Sequence, residues 1–283
     1  MINLSTKILY MKTEILKVAD MVQDYFLELK KSSITKNSLP YFADELGEIR
    51  QGELHVIAGT RGTGYTSFLL RQALYTAANE GVLFFNFDIS CSELTKRIIS
   101  QQFEIPFYQN LNHDLSLPLH QLNNTKLFIG KNECLNIFEL QNTIQEFIKS
   151  NDIKLVVIDS LEGISINPNN SKDKEILVIM RTLKQIAVDL NIALLLSSKI
   201  NNINGNKPSK KEIGYFSIER FADKILFIHR PEYYAIEEFE DGSDTKGMAE
   251  IIICDNKQGT EMNFRLNYDN KFLLFFLNTL NLY

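Results

Sequence analysis

The residues with the clearest chemical potential form a glycine-rich stretch, residues 58–67, with the sequence Ala-Gly-Thr-Arg-Gly-Thr-Gly-Tyr-Thr-Ser. A strand-like run precedes it and a helix-like run follows it. In that setting a loop binds phosphate through backbone N–H groups and the positive end of the helix. Against the pattern G-x-x-x-x-G-K-[ST], the stretch matches at Gly59, Gly64 and Thr66, but Tyr65 stands where the lysine belongs. The residues predicted to contact a nucleotide are Gly59, Thr60, Arg61, Gly62, Thr63, Gly64, Tyr65, Thr66 and Ser67.

A second candidate group is the acid that ends an apolar run over residues 154–158. This run predicts a buried strand, and Asp159 follows it directly. In phosphate-loop proteins an acid at the end of a central strand holds Mg²⁺ beside a hydroxyl of the loop. The sequence therefore predicts Asp159 and Thr66 as ligands of the Mg²⁺ that accompanies ATP. Because Tyr65 brings no positive charge, we expect ATP and Mg²⁺ to bind weakly.

The order of the predicted elements places these groups on one sheet. Strand-like runs alternate with helical patterns over residues 52–228, which predicts an α/β domain with a mainly parallel sheet and helices on both faces. Further runs at residues 247–254, 262–268 and 272–277 are separated by short turns and predict an antiparallel C-terminal extension. The polar segment 104–124 is predicted to be a loop or a short irregular insert.

An amphipathic segment precedes this domain. Residues 13–31 show helical periodicity with a broad apolar face, and Thr13 is a suitable N-cap. Such a face must be buried, either on its own domain or on a neighbouring subunit. A polar linker follows. We therefore divide the chain into an N-terminal segment, residues 1–38, and a main domain, residues 39–283.

Composition excludes several classes of protein. The 283 residues carry a net charge of −5, which argues against a protein that coats nucleic acid non-specifically. The three cysteines and four histidines show no metal-ligand spacing. No apolar run is long enough for a transmembrane helix, and the N-terminus lacks the features of a signal peptide. We therefore expect a cytoplasmic protein with no membrane partner.

Several segments resemble the motor domain of DnaB-type replicative DNA helicases. The resemblance includes residues 52–61 and 81–90 near the glycine-rich stretch, and residues 181–191 further on. It then includes Arg-Pro-Glu-Tyr-Tyr at residues 230–234 and Lys-Gly-Met-Ala-Glu at residues 246–250, in the family's order. The resemblance implies a RecA-like P-loop core that forms hexameric rings. It further implies single-stranded DNA in the central channel and hydrolysis of nucleotide between subunits.

The same resemblance assigns a role to the N-terminal segment. Residues 13–31 stand where the family has a linker helix that docks on the next subunit, which predicts self-assembly into a ring. The family's N-terminal helical domain, which contacts primase, is expected to be missing.

The departures from the family pattern fall at positions with roles in catalysis. Tyr65 replaces the loop lysine, and Asp88 replaces the glutamate that polarises the attacking water. Ser198 replaces the glutamine that couples nucleotide state to DNA. Two basic residues that reach the neighbour's phosphates align with Asp255 and Lys257. Because phosphoryl transfer depends on positioning and charge neutralisation, five such changes predict weak or absent hydrolysis of ATP.

A lysine- and asparagine-rich loop is predicted to bind DNA. It follows the strand at residues 192–196, and its basic residues are Lys199, Lys207, Lys210 and Lys211. Such side chains suit contacts with the phosphate backbone of single-stranded DNA. The alternative is a solvated hairpin tip with no ligand.

Three functions remain open on the sequence. The first is a DnaB-like replicative helicase homologue with a degenerate nucleotide site, which assembles with itself or with a full-length replicative helicase as a DNA-associated regulatory module. The second is an active, divergent, stand-alone helicase motor for DNA replication. The third is another RecA-like ATPase, of recombination type. The fold is common to all three, so the site must distinguish them.

Overall fold

The computed structural model describes residues 14–19, 21, 46, 48–108, 116–131, 134–166, 171–201, 205–255 and 259–277. The strands are β1 (Glu14–Lys17), β2 (Leu54–Gly59), β3 (Gly81–Asn86), β4 (Leu127–Lys131), β5 (Leu135–Asn136), β6 (Ile153–Asp159), β7 (Ile164–Ser165), β8 (Ala193–Lys199), β9 (Lys224–His229), β10 (Met248–Asp255), β11 (Thr260–Asp269) and β12 (Leu274–Phe276). The α-helices are α1 (Tyr65–Ala77), α2 (Cys91–Phe103), α3 (Ser116–Asn123), α4 (Ile137–Ile148), α5 (Lys172–Asp189) and α6 (Phe216–Phe221). Within these described ranges, no helix has the length and apolar character needed to span a bilayer.

Ten strands form one sheet, in the order β1-β4-β3-β6-β8-β2-β9-β10-β11-β12. The six strands from β4 to β9 in this order are parallel. β1 pairs antiparallel at one edge, and β10, β11 and β12 extend the other edge in antiparallel fashion. The predicted α/β class, the mainly parallel sheet and the antiparallel C-terminal extension are confirmed.

Helices cover both faces of the sheet, as its near-continuous apolar strands require. On one face, α1 and α2 bury residues such as Leu69 and Ile98. On the other face, α4 and α5 bury residues such as Leu140 and Ile179. β2 and β3 are buried along their whole length.

The predicted helix over residues 13–31 is wrong at its start. Glu14–Lys17 is a strand that pairs antiparallel with β4, where it satisfies backbone groups that an open sheet edge would leave unpaired. Lys17 Nζ also donates to the carbonyl oxygen of Asn123 at 2.7 Å. Val18, Ala19 and Met21 are helical and buried, and Val18 and Met21 join the core of this same domain. The remainder of the predicted helix lies outside the described residues.

The polar segment 104–124 was predicted as a loop or irregular insert, and that prediction is wrong for Ser116–Asn123, which form α3. Pro118 lies in the first turn of α3, where a missing N–H costs little. Leu122 is fully buried in the core. Thr125 Oγ1 donates to the carbonyl oxygen of Leu122 at 2.8 Å, just beyond the end of the helix.

Four parallel strands end at the same edge of the sheet. β2 ends at Gly59, β3 at Asn86, β6 at Asp159 and β8 at Lys199. The registers place Asn86 opposite Asp159 and Gly59 opposite Lys199. Ligands of open α/β sheets bind at this carboxyl edge. The fold therefore brings the glycine-rich loop, the predicted Mg²⁺ ligand and the end of β8 together.

Candidate functional site

The loop between β2 and α1 has the backbone of a phosphate cradle. Gly62 and Gly64 have φ angles of 91° and 101°, left-handed conformations that glycine adopts without strain. Gly64 is the N-cap of α1, a helix of 13 residues, and no side chain caps it. The N–H groups of the first turn, together with the helix dipole, therefore suit an anion such as phosphate.

Tyr65 lies underneath this loop and is only 3% exposed. A Cβ atom built on Gly59 would lie 3.3 Å from Tyr65 Cδ1, so the ring packs closely against the start of the loop. The Tyr65 hydroxyl donates to Asp88 Oδ2 at 3.3 Å. Burial and the charges of Asp88 and Asp159 raise the pKa of Tyr65 above its usual value, so the phenol stays neutral at physiological pH. A neutral donor thus occupies the position where the motif has a cation.

Lys199 brings a positive charge to this site from β8. Its Nζ forms an ion pair with Asp88 Oδ1, while the other oxygen of Asp88 accepts from Tyr65. The backbone N–H of Lys199 donates to Glu162 Oε1 at 3.0 Å. The sequence assigned Lys199 to a DNA-binding loop. The structure places its ammonium beside the glycine-rich loop.

Asp159, the residue that ends β6, is completely buried. Ser197 Oγ donates to Asp159 Oδ1 at 2.5 Å. Asp159 Oδ2 has no hydrogen-bond partner among the described residues. Burial raises the pKa of Asp159 to about 6, although hydrogen bonds with Ser197 and Thr66 act in the opposite direction. A buried carboxylate oxygen of this kind needs a cation or water to offset its loss of hydration.

These residues fit the Mg²⁺–ATP that a phosphate loop implies. Thr66 lies in the first turn of α1, and its hydroxyl is close enough to Asp159 to lower the pKa of that carboxyl. Mg²⁺ in such sites is held by one or two protein oxygens together with phosphate oxygens and water. Across the residues that the structure describes, no group of three His, Cys, Asp or Glu could hold a metal by itself. Asp159 and Thr66 would therefore hold Mg²⁺ together with the nucleotide.

The remaining predicted site residues do not gather in one place. Arg61 is exposed in the loop, and Ser198 is buried within β8. Asp255 ends β10, which β9 separates from β2. Lys257 lies outside the described residues. Of the residues with predicted catalytic or coupling roles, the described part of the chain therefore shows only Asp88 hydrogen-bonded to Tyr65.

Three residues of the site were missed by sequence reasoning. Ser197 binds Asp159, and Glu162 binds the backbone of Lys199. A Cβ atom built on Gly62 would lie 2.5 Å from the Tyr233 hydroxyl oxygen, so Tyr233 lies over the loop. The only signal for Ser197 was a polar residue within an otherwise apolar strand, next to the strand that carries the acid.

The predicted DNA-binding lysines do not form one row. Lys207 Nζ pairs with Glu250 at 3.1 Å, and Glu250 also contacts His229 Nδ1 at 3.4 Å. Lys210 and Lys211 begin a 3₁₀ turn that the side chain of Ser209 caps, and Lys211 is exposed. Because Lys199 pairs with Asp88 beside the glycine-rich loop, the four lysines lie in separate environments.

Comparison with known proteins assigns the family. Residues 39–276 match the family model described as the DnaB-like helicase C terminal domain. The chain belongs to this family. This DnaB-like chain is 29% identical over 238 residues to a probable plasmid replicative DNA helicase of Chlamydia psittaci, with 78% of this chain and 51% of that protein covered. It is 26% identical over 241 residues to the replicative DNA helicase DnaB of Mycoplasma genitalium, with 77% and 51% covered.

The DnaB-like chain thus spans about half the length of these curated relatives. Its fold is similar to that of the ATPase domain of G40P, with a TM-score of 0.74 at 19% identity, and the match covers 92% of this chain and 98% of that one. The predicted RecA-like fold and the resemblance to DnaB-type helicases are confirmed. The match also favours DnaB over the recombination-type ATPase that the sequence left open.

Proposed function

We propose that this chain is a DNA-associated relative of the replicative helicases that binds Mg²⁺–ATP but hydrolyses it weakly or not at all. One observation carries the proposal: Tyr65, at the position of the loop lysine, hydrogen-bonds to Asp88, at the position of the water-polarising acid. Lys199 occupies the other oxygen of Asp88. A carboxylate engaged on both oxygens, and one methylene short, is poorly placed to orient water.

Retained nucleotide binding is supported by the parts of the site that are intact. Gly62 and Gly64 keep the cradle open, and the N-terminus of α1 faces it. Asp159 keeps a buried oxygen without a protein partner in the described structure, and Thr66 supplies a hydroxyl next to it. These groups favour binding of ATP and Mg²⁺, with an affinity reduced by the missing lysine.

The first test compares DNA-stimulated phosphate release by the wild type and by Asp159→Ala. We expect the wild-type rate to exceed that of Asp159→Ala only slightly, because Tyr65 and Asp88 form a poor site for the water and the phosphates. Release is measured with single-stranded DNA and Mg²⁺–ATP in excess. Rapid turnover by the wild type, many times the rate of Asp159→Ala, would contradict the proposal.

That contrary outcome would instead support a second candidate, an active, divergent, stand-alone helicase motor. One observation favours it: the contact of Asp159 with Ser197 and the placement of Lys199 keep both an acid and a cation at the site. In that case the chain should also unwind a forked DNA substrate, which a strand-separation assay measures directly.

We further propose that the chain assembles in the cytoplasm with itself, or with a full-length replicative helicase, on single-stranded DNA. Family membership supports this proposal. The described residues of the N-terminal segment, Glu14–Lys17 and the three residues just beyond, pack on their own domain. The docking role that the resemblance assigned to residues 13–31 therefore does not fall on these described residues.

Light scattering after size exclusion tests this assembly. With Mg²⁺–ATP and single-stranded DNA, we expect a mass several times that of the 32.6 kDa chain. A second run adds a DnaB-type helicase and looks for co-elution. A monomeric mass under every condition, together with no co-elution, would rule out both forms of assembly.

A further inference from the structure

The end of β8 lies directly beside the glycine-rich loop. Lys199, the last residue of β8, is in register with Gly59, the last residue of β2. The N–H of Ile200 donates to the carbonyl oxygen of Gly59 at 3.1 Å, which extends this pairing by one residue. The side chain of Lys199 therefore leaves the sheet at the level where the loop begins.

The ammonium of Lys199 is directed toward the tip of residue 65. Nζ pairs with one oxygen of Asp88, and the other oxygen accepts from the Tyr65 hydroxyl at 3.3 Å. A single carboxylate thus bridges the lysine and the tyrosine. The side chains of Lys199 and Asp88 are 31% and 19% exposed, so a ligand can reach the pair from solvent.

The carboxyl groups around the glycine-rich loop need a cation, such as the ammonium of Lys199, to balance their negative charge. Asp88 and Glu162 contact Lys199, and Asp159 lies close enough to Asp88 and Lys199 to feel their charges. Three carboxyl groups would repel a triphosphate unless cations balance them. Mg²⁺ supplies part of that charge, and Tyr65 supplies none.

Two arginines near the loop are worse placed than Lys199. Arg61 is exposed on the loop itself. Arg97 reaches Ser67 Oγ at 3.4 Å, but its guanidinium is paired with Glu93 at 2.6 Å and stacks on Phe107. Among the described residues, Lys199 is the cation that hydrogen-bonds to Asp88, the partner of Tyr65.

We propose that Lys199 supplies, from β8, the positive charge for the phosphates of a bound nucleoside triphosphate that position 65 does not supply. This inference rests on the proposed nucleotide binding and identifies Lys199 as the residue that supplies the missing positive charge. A lysine ammonium carries three N–H donors on a flexible four-carbon stem, so it can donate to a phosphate oxygen and still pair with Asp88. Asp88 and Tyr65 act as positioning residues for this ammonium.

The test measures equilibrium binding of ATP, ADP and AMP, each with Mg²⁺, by titration calorimetry on the full chain. Lys199→Met keeps the length of the stem and removes the charge. We expect it to weaken ATP binding by about tenfold or more, the range of a charge-assisted hydrogen bond. Binding of AMP should change little, because AMP lacks the outer phosphates. Lys149→Met, at an exposed lysine beyond the end of α4, is the matched control and should bind ATP like the wild type.

A rescue experiment separates charge from structure. Adding Tyr65→Lys to Lys199→Met should recover most of the lost ATP affinity, and Lys199→Arg should retain most of it. Equal loss of ATP and AMP binding, or unchanged ATP binding in Lys199→Met, would overturn the inference while leaving the proposed nucleotide binding intact. If the wild type binds no nucleotide, both proposals fail. Lys199→Gln replaces Lys199→Met should the latter unfold, as judged by circular dichroism.

Discussion

Replacing Tyr65 by lysine is expected to raise DNA-stimulated phosphate release about tenfold to a hundredfold above the wild-type rate. The substitution puts an ammonium where a phosphate loop carries one, and it removes the phenol from Asp88 Oδ2. A charge-assisted contact of this kind contributes about 1.5–3 kcal/mol, which corresponds to the stated range in rate. The measurement is steady-state phosphate release with single-stranded DNA and saturating Mg²⁺–ATP.

The gain should stay well short of a complete helicase motor, because the other departures persist. Asp88 remains one methylene shorter than glutamate and paired with Lys199. The introduced lysine would also share Asp88 with Lys199 in a pocket where residue 65 is nearly buried, so part of its interaction energy offsets its own desolvation. Ser198 still replaces the glutamine that the resemblance to DnaB-type helicases predicts at this position.

Tyr65→Met is the matched control for this prediction. It removes the hydroxyl that binds Asp88 and adds no charge. If Tyr65→Met raises phosphate release as much as Tyr65→Lys does, the gain comes from freeing Asp88 and the charge argument is wrong. No gain in Tyr65→Lys, with ATP binding intact, would show that the departures at other positions are sufficient to prevent turnover.

Local patterns in the sequence were enough to predict the sheet and most helices. The apolar strands β2, β3, β6 and β8 alternate with amphipathic helices. The pattern of apolar residues predicts these elements because the apolar faces are the ones that become buried when the chain folds. β1 was misread because Ile15, Leu16, Val18 and Ala19 fit a helical face. The open edge of β4, a long-range feature, decided the conformation of Glu14–Lys17.

The site was predictable only where a residue carries its own signal. Gly64 matches the glycine-rich pattern and Asp159 directly follows an apolar run, and the structure places both at the same edge of the sheet. Ser197 and Lys199 carry no such pattern, because their roles arise from neighbours on other strands. Without its neighbours in the fold, a lysine after an apolar strand is predicted to contact solvent or DNA. Its pairing with Asp88, 111 residues earlier, is a product of topology.

The buried acid Asp159 should make the stability of the chain fall as pH rises toward neutrality. Burial raises its pKa from 3.8 to about 6 on folding. Below pH about 4 the carboxyl is protonated in both folded and unfolded chains. Between about 4 and 6 the folded chain keeps a proton that the unfolded chain loses, so the free energy of unfolding declines. Above pH 6 the ionised acid destabilises the fold by a constant amount, roughly 2–3 kcal/mol.

Asp159→Asn removes this titration and should therefore become more stable relative to the wild type as pH rises. We expect the difference in free energy of unfolding to shift by roughly 2–3 kcal/mol in favour of the variant between pH 4 and pH 7.5. Urea denaturation at each pH measures it. The amide oxygen can still accept from Ser197, and any cost of its unpaired NH₂ is the same at every pH, so it cancels from the shift.

Asp152→Asn is the matched control, since Asp152 is an exposed aspartate immediately before β6 and Asp159 is the buried acid at its end. Its difference from the wild type should vary little with pH, because water screens its ion pair with Lys154. A pH-independent difference for Asp159→Asn would mean that the carboxyl keeps an ordinary proton affinity in the fold. In that case Asp159 would be ionised at neutral pH with no loss of folding stability, and a bound Mg²⁺ would have no such loss to offset. Added Mg²⁺–ATP should stabilise the wild type above pH 6 by more than it stabilises Asp159→Asn, because only the wild type presents a charged oxygen to the cation.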